Sequence, residues 1–251
     1  MHKLISIGAA LALALGAAPA QAAPASIAAA VADSSARSEA NVKLDEGRKP
    51  VEVLKFLGLK PGMRVSDPFG GNLYWAEITA PFVGPKGRVI IWQPAQFYRQ
   101  KGYDSYTALK AKQPNVWMRV SPFEAPDLGA GYDFMLINLD YHDVYWESAK
   151  NGIARMDPDQ WLKAVYAAMK PGAVVGIIDH AGDPGDTRAT VEKYHRIDPA
   201  VVKDDFKRAG FVLEAESDML RNKADDHSLN VFDPKIRGHT DRFVFKFRKP
   251  R

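Results

Sequence analysis

Met63-Arg64-Val65-Ser66-Asp67-Pro68-Phe69-Gly70-Gly71-Asn72 reads as a strand that ends at an acid and runs straight into a glycine turn. With no Cβ on Gly70 or Gly71, a ligand can approach the main chain closely there, although a Gly-Gly pair is also an ordinary tight turn. Leu73 to Ala80 reads as the helix that follows, with Pro81 bringing it to an early end.

Upstream, Arg48-Lys49-Pro50 opens a short amphipathic helix with apolar Val53, Leu54 and Leu57, which Gly58 and the Lys60-Pro61-Gly62 turn stop. Downstream, strand-like and helix-like segments alternate, the pattern of βαβ units on a largely parallel sheet. The further strands predicted are Arg88 to Trp92, Val116 to Val120, Tyr132 to Leu139 and the wholly apolar Ala173 to Ile178. A strand apolar at every position belongs in a sheet buried on both faces. Helices are predicted over Tyr103 to Lys112, from the Asp157-Pro158 cap through Trp161, Val165 and Met169, and from Asp198-Pro199 through Phe206. Phe211 to Ala215 and Phe243 to Phe247 supply the final strands, expected as an antiparallel edge pair. The long polar segment between them is expected to be either a lid or a loosely ordered loop.

At the N-terminus, Met1-His2-Lys3, the apolar run Leu4 to Ala18 and Ala20-Gln21-Ala22 have the layout of a signal peptide. Residues 1–22 are therefore expected to be removed and the mature protein to be exported. The apolar run is shorter than the roughly 20 residues of a membrane span, so no stable membrane insertion is expected after cleavage. The Ala/Ser-rich residues 23–43 are expected to be a flexible leader, and 44–251 a single domain. The chain has 251 residues, 46% hydrophobic and 25% charged, a composition suited to one ordinary globular core. Its net charge of +4 is small and scattered, which argues against nucleic acid and leaves a small molecule as the expected partner. The absence of cysteine rules out disulfides and a lipidated cysteine.

The ordered set Arg48-Lys49-Pro50, Gly70-Gly71, Tyr141-His142-Asp143, Ile178-Asp179-His180, His195-Arg196-Ile197-Asp198 and Val231-Phe232-Asp233-Pro234 to Gly238 resembles the exported, predicted S-adenosylmethionine-dependent methyltransferases of bacteria. The resemblance covers the chain from Arg48 to Pro250. It implies an α/β, Rossmann-like methyltransferase fold: a mostly parallel seven-stranded sheet with helices on both faces and an antiparallel C-terminal edge pair. It further implies a periplasmic location, with S-adenosyl-L-methionine as cofactor. Asp67, Gly70 and Gly71 then fall on the methionine part of the cofactor, and Asp140 on the same pocket. Two positions depart from the usual pattern: Asn72 stands where a further glycine is expected, and Gln93 where strand two normally ends in a ribose-binding acid. Trp92 either stacks beside the adenine or packs in the core. Glu124 either reaches the adenine amino group or is a solvated charge.

In the strand order so implied, strands one, four and five are neighbours, and ligands bind beyond their carboxyl ends. Asp67, Asp140, His142, Asp143, Asp179 and His180 then converge on one crevice. Two chemistries compete there. In one, His142 or His180, with Asp179, is the general base for transfer of a sulfonium methyl. In the other, Asp140, Asp179 and a histidine hold a divalent metal. The base is favoured, because neighbouring Asp and His side chains point to opposite sides of an extended chain. Tyr141, His195 and Arg196 are assigned to substrate, with Arg196 either facing a substrate anion or paired with a neighbouring acid. The alternatives to a methyltransferase are a non-catalytic periplasmic binding protein on the same fold and a metal-dependent enzyme built on the Asp/His cluster.

Overall fold

The computed structural model describes residues 24–251, so the signal segment expected over 1–22 lies outside the described residues. The strands are β1 (Arg64–Pro68), β2 (Arg88–Pro94), β3 (Val116–Ser121), β4 (Tyr132–Asn138), β5 (Met169–His180), β6 (Val212–Ser217) and β7 (Arg242–Arg248). They form one sheet in the order β3-β2-β1-β4-β5-β7-β6. The strands β1 to β5 pair parallel, and β7 runs antiparallel between β5 and β6. This is the Rossmann-like methyltransferase arrangement expected, with β1, β4 and β5 side by side.

Alternation along the strands feeds two cores, one on each face of the sheet. Trp92, Met135, Ile137, Val175, Ile177 and Phe243 join one core with Trp161 of α7 (Pro158–Ala168) and Phe206 of α9 (Pro199–Arg208). Val65, Ile91, Phe134, Leu136 and Ile178 join the other with Leu54 and Leu57 of α4 (Pro50–Leu57) and Ile78 of α5 (Tyr74–Val83). The exposed helix α6 (Gln100–Lys112) lies against β3 and buries only Leu109.

Several boundaries differ from the sequence-based expectation. Helix α5 continues through Pro81 to Val83, since a proline in the last turn disturbs few backbone bonds. Strand β2 runs two residues beyond Trp92, so Gln93 is still paired in the sheet, opposite Val120. Strand β5 begins at Met169, ahead of the Lys170-Pro171-Gly172 turn expected to precede it. An unexpected helix, α8 (Thr187–Tyr194), starts at the Asp186 cap and ends in the left-handed residue His195, at φ 51°.

The leader is the larger correction. It carries α1 (Ile27–Ala32) and α2 (Glu39–Val42), which α3 (Asp45–Arg48) follows, and α1 packs on α4 and α5. Ile27 and Ala30 are buried. The Asn41 amide donates to the Glu77 carboxylate and to the Asn72 carbonyl at 3.0 Å each. Arg37 donates to both oxygens of Asp45 at 2.7 Å, with no side-chain exposure of its own and 23% for Asp45. Arg37→Ala therefore costs about 2–3 kcal/mol, below the full cost of breaking a buried pair because Asp45 keeps some water. A urea midpoint unchanged by the substitution would return this segment to the status of a leader.

Candidate functional site

The carboxyl ends of β1, β2, β4 and β5 face one side of the sheet, where two cavities meet. The smaller, about 380 Å³, is lined by Phe69, Gly71, Gln93, Tyr98, Tyr103 and Met118, among others. The larger, about 780 Å³, is walled by Arg48, His142, His180, His195, Phe232 and Arg242, among others. Phe97, Asp140 and Asp143 line both, so the two adjoin.

The glycine loop works by close approach. A Cβ on Gly70 would collide with the Asp67 carboxylate, and one on Gly71 with the Gln93 amide oxygen. The left-handed residues of the loop are its flanks, Phe69 and Leu73, at φ 60° and 63°. Asn72 turns its side chain back to accept from the Tyr74 N–H at 3.1 Å, which opens α5. Asp67 Oδ2 and Gln93 Oε1 are both buried without a hydrogen-bond partner. Desolvation pushes the Asp67 carboxyl up to about 7, against the pull of Arg48. Two orphaned acceptors packed against two glycines fit a ligand that brings donors, such as the amine and ribose hydroxyls of S-adenosylmethionine.

Asp179 is fully buried and accepts three hydrogen bonds at 2.8 Å: from the His142 backbone N–H, from the His180 backbone N–H and with His142 Nδ1. After Asp140 the chain is not extended but coils into a 3-10 turn, His142–Tyr145, which sets His142 and Asp143 side by side. His142 Nε2 lies 3.4 Å from Asp143 Oδ1, and His195 Nδ1 lies 3.8 Å from the same oxygen. Burial opposes a charged His142, but Asp179, Asp143 and Asp140 outweigh it and push the ring up to about 9. Asp140 is held well above the usual carboxylate range by desolvation, then by Asp143. His180 is driven far down by burial and by His142, Arg242 and Arg196, and its Nδ1 meets the Thr240 hydroxyl at 2.7 Å. One imidazole is thereby held charged and its neighbour neutral, with ring centres 5.9 Å apart.

Asp67, Gly71, Gln93, Asp140, His142, His180 and His195 thus come together, and Gly70 stands behind them against Asp67. Four other assignments change. Tyr141 is fully buried on the far side of its turn, its hydroxyl donating to Asp205 of α9 at 2.7 Å, so it faces the core rather than a substrate. Arg196 is fully buried and paired with Asp225 at 2.9 Å while donating to the Ala181 and Leu229 carbonyls, so it anchors the long segment before β7 and meets no ligand. Glu124 is exposed and accepts from Gln96 at 2.8 Å, outside both cavities. Asp179 has no exposed oxygen to offer, which removes the metal set of Asp140, Asp179 and a histidine; it positions His142 instead. Trp92 is core, with its indole N–H on Ser121 at 2.7 Å.

Some functional candidates carried no sequence assignment. Arg48 lines the larger cavity with its guanidinium 4.3 Å from the Tyr74 ring centre and one buried nitrogen unpaired. Arg242 lies at the same cavity and donates only to the Thr240 and Gly238 carbonyls. Arg48 had stood in the quoted motif without a role. Tyr98 and Met118 gave no signal, because an apolar cavity wall reads in sequence like any other apolar surface.

No family model matches the chain, and no curated protein matches it in sequence. Its fold resembles that of a SAM dependent methyltransferase from Aquifex aeolicus, at 19% identity over 84% of this chain and 94% of that one, with a TM-score of 0.56. An S-adenosylmethionine dependent methyltransferase from Mesorhizobium loti aligns at 13% identity over 82% and 99%, with a TM-score of 0.55. The [4+2]-cyclase SpnF aligns at 15% identity over 81% and 80%, with a TM-score of 0.58. At such identities the likeness establishes the fold, and a cyclase among the neighbours shows that the fold carries more than one chemistry.

Asp179→Ala strands two backbone N–H groups and the His142 ring. At roughly 1 kcal/mol or more for each stranded group, the expected loss is about 3 kcal/mol in urea unfolding. Asp179→Asn keeps an acceptor oxygen and should lose clearly less; equal losses would show that these bonds do not hold the site.

Proposed function

We propose that the chain is an S-adenosylmethionine-dependent methyltransferase acting on a small molecule, with the nucleoside in the smaller cavity and the acceptor in the larger one. The observation that carries this reading is the adjacency of the two cavities, which share Asp140 and Asp143, with unpaired acceptors and a glycine loop on one side and four histidines on the other. Asp67 would hold the cofactor amine and Gln93 a ribose hydroxyl, while Tyr98 and Met118 flank the base. When bound, S-adenosylmethionine supplies a sulfonium methyl group, which an acceptor heteroatom takes as its own proton leaves. That proton would be withdrawn on the side where His180, the neutral imidazole of the pair, lines the cleft. Val231, Phe232 and the residues 237–240 wall the acceptor side.

The pKa of Asp67 gives a signed test. Its carboxyl is more readily protonated in the folded chain than in the unfolded one, so it favours folding at low pH, and that contribution is lost as pH climbs through about 7. A cationic amine offsets the loss by pairing with the ionised form. Calorimetric affinity for S-adenosylmethionine should therefore strengthen by up to about tenfold per unit of rising pH below 7, then level off. Asp67→Asn should weaken binding and flatten the profile. Absence of binding to S-adenosylmethionine and S-adenosylhomocysteine at millimolar concentration would sink the reading.

A second reading, a non-catalytic binding protein, is favoured by Gln93, whose amide holds a diol less firmly than a carboxylate does. It predicts nucleoside binding without methyl transfer to any acceptor. We also propose that the protein is exported to the periplasm after cleavage following Ala22. The mature chain recovered from that compartment should begin at Ala23 by mass spectrometry, and an intact Met1 would overturn this.

A further inference from the structure

The turn after β4 and the end of α8 bring three possible metal-ligand atoms together at the larger cavity. Asp179 occupies His142 Nδ1, which leaves Nε2 facing away from it toward Asp143. Among the described residues, neither the Asp143 carboxylate nor the His195 ring makes a hydrogen bond. His142 Nε2, Asp143 Oδ1 and His195 Nδ1 fall within 4.8 Å of one another, with two of the separations at 3.4 and 3.8 Å. Two ligands at about 2.0–2.2 Å from one tetrahedral ion sit about 3.4 Å apart, so a single ion fits between them with small side-chain adjustments.

The surroundings are those of a ligand set. A histidine gripped from behind by a carboxylate is the usual support of a metal-bound imidazole, fixing its tautomer and aim. His195 is held by Trp146 and Phe232, whose ring centres lie 5.4 and 5.1 Å from its own, and by its left-handed backbone. Three protein ligands leave at least one position open, as catalytic sites do and closed structural sites do not. Two imidazoles beside one carboxylate select a transition ion over magnesium or calcium, which prefer oxygen alone.

We propose that His142, Asp143 and His195 bind one divalent transition-metal ion of the zinc or iron(II) class, whose open position faces the cleft and takes a hydroxyl oxygen of the acceptor. The inference deepens the methyltransferase reading and rests on it for the acceptor's location. Such an ion would polarise the bound hydroxyl and let its proton pass to water, leaving the oxygen's electron pair free to attack the sulfonium methyl carbon as its bond to sulfur breaks and the sulfur keeps that pair as a neutral thioether. Coordination at Nε2 would replace the proton that the neighbouring carboxylates hold on the His142 ring. Arg48 and Arg242, across the same cleft, remain free to meet a charged part of the acceptor.

The test is zinc titration of the chelator-stripped full chain by calorimetry, without any nucleoside, followed by metal analysis. One zinc per chain at micromolar affinity or tighter is expected. His195→Ala and Asp143→Asn should each weaken binding at least tenfold, and Asp179→Asn, which loosens the His142 ring, about 10–100-fold. Because His195 is partly exposed, His195→Ala should keep its circular dichroism spectrum even where changes at His142 disturb folding. Cobalt(II) gives a second readout, a visible absorption band that His195→Ala removes. Failure to bind zinc or cobalt stoichiometrically, or binding that His195→Ala leaves intact, overturns the proposal. Zinc binding without nucleoside binding would keep the metal site and remove the methyltransferase; nucleoside binding without zinc would do the reverse.

Discussion

A carboxylate with no exposed surface, Asp179, is the fixed point around which the cleft is arranged. Alone it would be costly, since an ionised carboxylate buried without partners is strongly disfavoured. Its three hydrogen bonds, two of them from backbone N–H groups on different segments, offset that cost. They also tie the end of β5 to the turn after β4, so those two strand ends cannot shift independently. The orientation of His142 and the coiling that brings Asp143 beside it both follow from this attachment.

The sheet was legible in the sequence because burial on both faces leaves apolar runs of strand length, and because caps such as Asp157-Pro158 and Asp198-Pro199 mark helix starts by their own chemistry. The glycine loop was legible for a related reason: Gly70 and Gly71 stand where Asp67 and Gln93 need the space. The detailed site was less so. Asp140-Tyr141-His142-Asp143 reads as extended chain in sequence, because a four-residue 3-10 turn has no periodicity long enough to announce itself. That one turn sends Tyr141 to the core and joins His142 to Asp143. Arg196 misled for another reason: a buried arginine declares itself only through its partner, and Asp225 lies 29 positions away. The N-terminal helices were missed because an Ala/Ser-rich stretch has the same composition whether it is solvated or packed.

The backbone bears a cost around the same cleft. Lys49, Phe69, Leu73, Leu139, His195 and His227 all adopt positive φ without being glycine, at roughly 1–2 kcal/mol each. Phe69 and Leu73 show what holds such residues in place. Their side chains lie in opposite cores, Phe69 against Trp92 and Phe123 and Leu73 with α4 and α5, so relaxing the loop would pull apolar surface out of both. The loop's shape is held by large buried side chains at its ends, while its glycines supply room in the middle.

The N-terminal helices give that loop a mechanical connection. Asn41 grips the Asn72 carbonyl and Glu77 together, and α1 lies on α5, the helix the loop opens. Tension applied at residue 24 would reach the glycine turn through these contacts. A fusion partner, bead or surface attached there pulls on α5 and the glycine loop that opens it, whereas the same attachment at Arg251 pulls directly on the sheet through β7.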